Sequence, residues 1–274
     1  MRMQSKIQTG LVNAALGALT LTMVVPLLLV LNVALKSDAE FLNHSLGLVE
    51  SPQWDNFRQV WIQGEMGVYF QNSLIYAVLA SLGACLISGL AAFPIARKHF
   101  RGSQVVYFVF LSALFFPVAL VPLLYVMNAL ALINTYYGYV LLMIGNSLSI
   151  SVFIFVAFVK GVPRELDEAA AIDGCGYFRY ILTIVFPLMK PAIATVGMLV
   201  AIGTWNDFIN PYLFLTDRNM RPLTSGLYLY FGQYATKWNY LSAGIIVVTA
   251  PLFAAYFFLQ RYIVSGVTSG AIKG

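Results

Sequence analysis

Long apolar runs alternate with short polar stretches along the whole chain, and the spacing of that alternation predicts its elements. The apolar runs cover residues 10–35, 69–95, 105–127, 139–159, 192–213 and 241–263. Each has roughly the 20 residues that a helix needs to cross a hydrocarbon core. Backbone N–H and C=O groups cannot stay unpaired in lipid, so runs of this length read as helices. The expected fold class is all-α: a polytopic membrane protein with six transmembrane helices in a single domain over residues 1–274. Residues 36–67 are polar but place Trp54, Phe57 and Trp61 at helical spacing. That predicts a short helix, either with its rings at headgroup depth or packed over the outer mouth.

Polar residues inside the runs refine the picture. Pro117 and Pro122 interrupt the third run. A proline there frees carbonyls that need other partners, so a kink or an unwound stretch is expected, beside a cavity or closed by packing. Asn146, Ser147 and Ser149 sit near the centre of the fourth run, where polar side chains turn from lipid towards other helices. The fifth run ends in Trp205-Asn206-Asp207-Phe208, followed by Pro211. Asn146, Asn206 and Asp207 are candidates for binding hydroxyl groups of a solute, with Trp205 or Tyr139 stacking on it. Interhelical hydrogen bonds and interfacial anchoring are the alternative for the same residues.

A partly polar island covers residues 163–187, between the fourth and fifth runs. Its first half holds Glu165, Asp167, Glu168 and Asp173, four of the chain's eleven acidic residues, beside Ala169-Ala170-Ala171. Acidic residues in a first turn suit the positive end of a helix dipole, and Gly174 suits the left-handed residue that closes a helix. The expectation is a short exposed helix, a turn, and an apolar segment from Tyr177 lying along a membrane face or beneath that helix. Pro187 and Pro191 then end the island and start the next span.

Composition narrows the class. The chain is 60% hydrophobic and 10% charged, against roughly 45–50% and about 25% in soluble domains. At 274 residues a single membrane domain is expected, with no room for an added soluble catalytic domain. The net charge of +5 comes from basic residues scattered between apolar runs, so a nucleic-acid partner is not expected. Eleven lysines and arginines fall on the side of the termini and five on the other. The positive side favours the cytoplasm, which puts both termini and the acidic island there.

The chemistry that is missing matters as well. The sequence has no G-x-x-x-x-G-K-[ST] run to cradle ATP phosphates. His44 and His99, its two histidines, fall in loops on opposite sides, which argues against a metal site or a Ser-His pair. Asp207 is the one ionisable residue near membrane depth, too few for a proton relay, and it reads as a helix end. No catalytic residue, bound cofactor or metal is expected on this chain.

The island resembles the EAA loop of the permease subunits of ABC importers, through Glu168-Ala169-Ala170, Gly174, Ile184 and Pro187. Pro163, Glu165-Leu166, Ile172-Asp173-Gly174 and Phe186-Pro187-Leu188 are similar to the carbohydrate-uptake branch, the relatives of the maltose transporter's smaller permease. Phe186 stands where that branch often has leucine. Trp205-Asn206-Asp207-Phe208 and the closing Leu259-Gln260-Arg261-Tyr262-Ile263, with Gly266, Gly270, Ala271, Lys273 and Gly274, resemble it too. The resemblance implies a multi-pass protein of a bacterial or archaeal cell membrane. Its implied partners are a second permease, two ABC ATPase subunits that carry ATP and magnesium, and an extracytoplasmic solute-binding protein. It implies an ATPase-coupling role for Glu165, Glu168, Ala169, Ala170, Asp173 and Gly174, and a sugar or oligosaccharide as the solute. Import of another solute, such as a phosphorylated polyol or peptide, is the alternative within the class; a secondary carrier is the alternative outside it.

Overall fold

The structure, a computed structural model, describes residues 2–230 and 237–271, with side chains over 12–230 and 237–257. It is helical throughout the described residues. α1 (Arg2–Ala34), α4 (Met66–Arg97), α7 (Tyr136–Lys160) and α13 (Trp238–Ala271) each contain a stretch long and apolar enough to cross a membrane. Shorter helices lie between them: α2 (Asp38–Asn43), α3 (Asp55–Gln63), α5 (Ser103–Ala113), α6 (Leu120–Ala129), α8 (Glu165–Ile172), α9 (Tyr177–Leu188), α10 (Lys190–Asn206), α11 (Ile209–Phe214) and α12 (Leu223–Gly226). The closing motif, from Leu259 on, lies outside the described side chains, and Lys273 and Gly274 lie outside the described residues.

The third run is interrupted, as Pro117 and Pro122 predict, and neither it nor the fifth run is a single helix long enough to cross a membrane. The third run becomes α5 and α6, of 11 and 10 residues. α5 ends in tight turns, Leu114 N–H to the Leu111 carbonyl and Phe115 N–H to Ser112. Pro117 has no N–H to continue the ladder and biases Phe116 away from helix. Ala119 is extended (φ −81°, ψ 92°), and Pro122 falls in the first turn of α6, where a missing N–H costs nothing. The fifth run is helical only to Asn206; Asp207 turns extended (ψ 122°) before α11 begins. α9 meets α10 at 83° across Met189. Within α9 the turn widens, with Phe186 N–H reaching five residues back to the Ile181 carbonyl, just ahead of Pro187.

The chain divides into two compact units. The first holds residues 1–67 and 226–251. At its centre Lys36 is fully buried, and its ammonium donates to the carbonyls of His44 and Gly47. Asn56 Nδ2 donates to the Ala34 and Lys36 carbonyls at 2.8 and 2.9 Å, satisfying the end of α1. Lys36, one of the five basic residues on the side away from the termini, is therefore a structural cation. On α3, Asn56 and Val60 are buried, whereas Trp54 and Trp61 are 68% and 45% exposed. That exposure favours rings at headgroup depth over packing on the outer mouth.

The second unit, residues 68–225 and 252–274, has its core on α4, α7, α9 and α10: Tyr76, Phe93, Phe155, Ile181 and Val196 are among its buried residues. The small residues of α4 let its neighbours close in. A Cβ added at Gly89 would stand 2.7 Å from Phe186 Cζ, so the bulky ring at 186 is accommodated by the absence of a side chain at 89. At the other end of α4, Asn72 Nδ2 donates to the Asn219 and Arg221 carbonyls at 2.6 and 3.0 Å, and Tyr76 donates to Met220 O at 2.7 Å. These bonds fix the segment after α11 against the helices.

Candidate functional site: an acidic helix and a polar cavity

α8 forms because alanines with high helix propensity follow three carboxylates, Glu165, Asp167 and Glu168, in its first turn. It ends in a complete Schellman motif. Gly174 N–H donates to Ala171 O at 3.1 Å, Cys175 N–H to Ala170 O at 2.9 Å, and Gly174 takes φ +68°. The glycine predicted to close the helix does so, and no atom lies within 4 Å of where its Cβ would be. Glu165, Glu168, Ala169, Asp173 and Gly174 are exposed together on this one segment.

Ala170 differs from the expectation. It is 6% exposed and belongs to the chain's own core, so its small side chain lets α8 sit close to its own helices. Of the two alanines in the motif, only Ala169 is left exposed. Ile172, named above only as part of the resemblance and not among the coupling residues, stands 86% exposed beside Gly174. An apolar side chain left that open at the tip of an acidic helix is the feature that singles it out.

The other missed feature is the anchor of α8. Arg97, the last residue of α4, is 8% exposed. Its Nε lies 2.7 Å from Asp167 Oδ2 as an ion pair, while Nη2 makes the well-formed hydrogen bonds, 3.1 Å to Asp167 Oδ1 and 3.1 Å to the Val162 carbonyl. Tyr180, on α9, donates a hydrogen bond to the same Oδ1. The Phe93 ring lies 5.8 Å from the guanidinium and edge-on to Tyr180. One carboxylate thereby joins α4, α8 and α9. Arg97 and Asp167 are 70 residues apart in sequence, and no local pattern pairs them.

The second candidate feature is a cavity of about 380 Å³ between α7 and the α10–α11 break. Its polar walls are Asn146, Ser147, Thr204, Asn206, Asp207 and Asn210. Three of the residues expected near a solute, Asn146, Asn206 and Asp207, are brought together there. Asn146 and Asn206 are exposed, and among the described residues their amides make no hydrogen bond. Asp207 is committed internally. Its Oδ2 accepts from Tyr139 at 2.9 Å and from Asn210 Nδ2 at 3.0 Å, and its Oδ1 accepts from Asn210 N–H at 3.3 Å, capping α11.

The two aromatic candidates do not reach the cavity. Trp205 is 6% exposed, with its ring edge-on to Phe70 at 5.8 Å. It follows Thr204 on the opposite side of the last turn of α10, so it faces the core. Tyr139 is fully buried, 4.6 Å from Tyr76 and hydrogen-bonded to Asp207, which leaves no ring face for stacking.

Residues 84–269, which include both features, match the family described as binding-protein-dependent transport system inner membrane component. The chain belongs to that family. It is 31% identical to the diacetylchitobiose uptake system permease protein of Streptomyces coelicolor, over 95% of this chain and 88% of the relative. It is 30% identical to the arabinooligosaccharides transport system permease protein of Halalkalibacterium halodurans, over 100% and 99%. In fold it is similar to a chain from a bacterial ABC transporter involved in the import of the acidic polysaccharide alginate, with TM-score 0.82, 20% identity, and 94% and 97% of the two chains covered. The chain is thus a multi-pass membrane permease of the ABC importer type, and its relatives are permease subunits rather than enzymes.

Proposed function

We propose that this chain is one of two permease subunits of an ATP-driven importer for a sugar or oligosaccharide. Six crossings, two of them through broken helices, put both termini and α8 in the cytoplasm of a bacterial or archaeal cell, as the eleven-to-five charge bias requires. A solute-binding protein outside delivers the sugar, and two ABC ATPase subunits inside hold ATP and magnesium. The oligosaccharide names of the similar permeases support the substrate class.

The observation that carries this reading is the exposed tip of α8. Glu165, Glu168, Ala169, Ile172, Asp173 and Gly174 form a short, capped, acidic projection in which Ile172 is the most exposed apolar side chain. Closure of the ATPases around their nucleotide pushes this projection. Asp167 passes the displacement to α4 through Arg97 and to α9 through Tyr180, so the helices rock as bodies between inward-open and outward-open states. The amides of Asn146 and Asn206 offer the moving solute donors and acceptors for hydroxyl groups.

Sealed vesicles carrying the whole transporter test the reading. Uptake of a labelled oligosaccharide is expected only with the binding protein outside and ATP inside. Uptake driven by an ion gradient without ATP would assign the chain to a secondary carrier. ATP-dependent uptake of a phosphorylated polyol or peptide in place of the sugar would keep the class and overturn the substrate.

A further inference from the structure

Three helix ends meet on the face of the second unit that holds Arg97. Lys98 follows α4, Ser103 opens α5 and Lys160 ends α7. Together with Gln104, Tyr107 and Phe108 they line a cavity of about 280 Å³ that is separate from the solute cavity. Lys160 Nζ lies 5.1 Å from the Tyr107 ring centroid. No carboxylate lines the space. Asp167, the acid joined to the neighbouring Arg97, is held in its ion pair.

Two lysines alone describe a solvated edge, but the floor of this cavity is built differently. Ser103 is 3% exposed and lines it, and among the described residues its hydroxyl has no hydrogen-bond partner. The hydroxyl is not sealed off: its oxygen opens into the cavity, where a ligand or water can complete it. Ser103 is also the first residue of an 11-residue helix whose preceding residue, Gly102, supplies no side-chain cap. Ser103 N–H donates to the Phe100 carbonyl, and the remaining N–H groups and dipole of that first turn favour an anion. Beyond the rim α5 turns apolar and outward, with Val105 67%, Phe108 60% and Val109 62% exposed.

We propose that this cavity binds the phosphate of an anionic phospholipid. The headgroup oxygens accept from Lys98, Lys160, the Ser103 hydroxyl and the first turn of α5, and the acyl chains lie along Val105, Phe108 and Val109. The chemistry of the polar floor suits any phosphate anion; the adjoining apolar strip is what selects a lipid. Placing the site in the inner leaflet rests on the cytoplasmic orientation proposed above, whereas the binding itself does not.

The test uses the complete transporter purified in detergent, exposed to mixed micelles of phosphatidylglycerol or phosphatidylcholine, with retained lipid measured by native mass spectrometry. The wild type is expected to retain phosphatidylglycerol about tenfold more strongly. A lysine beside an anionic headgroup is worth about fivefold in affinity, so Lys98→Asn with Lys160→Gln removes at least tenfold. Ser103→Ala, which keeps both charges, weakens retention about threefold. Equal retention of the two lipids, or undiminished phosphatidylglycerol on the assembled double variant, would overturn the proposal. Complete displacement of phosphatidylglycerol by inorganic phosphate, with phosphate itself retained, would overturn the lipid as the source. Whether ATP drives uptake is read separately in the vesicle assay, so either idea can fail without the other.

Discussion

Asp167→Ala breaks the junction of α4, α8 and α9 while leaving the exposed tip of α8 intact. Removing one partner of a fully buried ion pair costs about 3–5 kcal/mol, because the other charge stays in low dielectric. Here the Arg97 side chain is 5% exposed and that of Asp167 is 24% exposed, so water reaches one partner and the loss falls to about 2 kcal/mol. Arg97 keeps its bond to the Val162 carbonyl and its place beside Phe93, which limits the damage to the seating of α8. A loss of that size lowers the population of seated α8 relative to unseated by about 30-fold. The assay is solute transported per ATP hydrolysed in vesicles carrying the assembled complex. The ratio is expected to drop at least tenfold while ATP hydrolysis continues. Tyr180→Phe, which removes one hydrogen bond and no charge, costs about 1 kcal/mol and lowers the ratio about fivefold. An unchanged ratio for an assembled Asp167→Ala transporter would refute the role of this carboxylate as the link.

Two further outcomes follow from the backbone and the cavity. Gly174→Val forces a β-branched residue to φ +68° at a cost of about 2 kcal/mol, unwinding the α8 cap and uncoupling hydrolysis from uptake; Gly174→Asn, which tolerates that conformation, keeps most activity, and equal uptake by both variants would contradict the account. Asn146→Ala with Asn206→Ala is expected to lower the affinity for oligosaccharide about tenfold with normal assembly, measured by uptake at varied solute, and unchanged affinity and selectivity would return both residues to packing.

Features encoded within a few residues were legible in the sequence. The cap at Gly174 needs only its own helix, and Pro117 breaks the third run through its own missing N–H. Asp207 reads as a helix end from its neighbours alone, and it caps α11. What escaped depends on contacts distant in sequence. Asp167 looked like any other first-turn acid until Arg97 was found beneath it, and Ala170 turned inward because α8 lies against the core. Trp205 belongs to a polar, aromatic motif, yet one helical step decides which member faces the cavity, and the step favoured Asn206. Continuity of the fifth run was overestimated, since hydrophobic length measures the cost of exposure to water and says little about where the ladder is interrupted.

The central claim is that force enters this chain at the tip of α8. In a background with Cys85 and Cys175 replaced by serine, Ala169→Cys and Ile172→Cys each place one thiol on that exposed tip. The account predicts that each thiol cross-links to an ATPase subunit in the assembled transporter and stays unlabelled by a membrane-impermeant thiol reagent added to intact cells. Labelling from outside the cell, or an assembled and active transporter in which neither thiol reaches an ATPase, would contradict it.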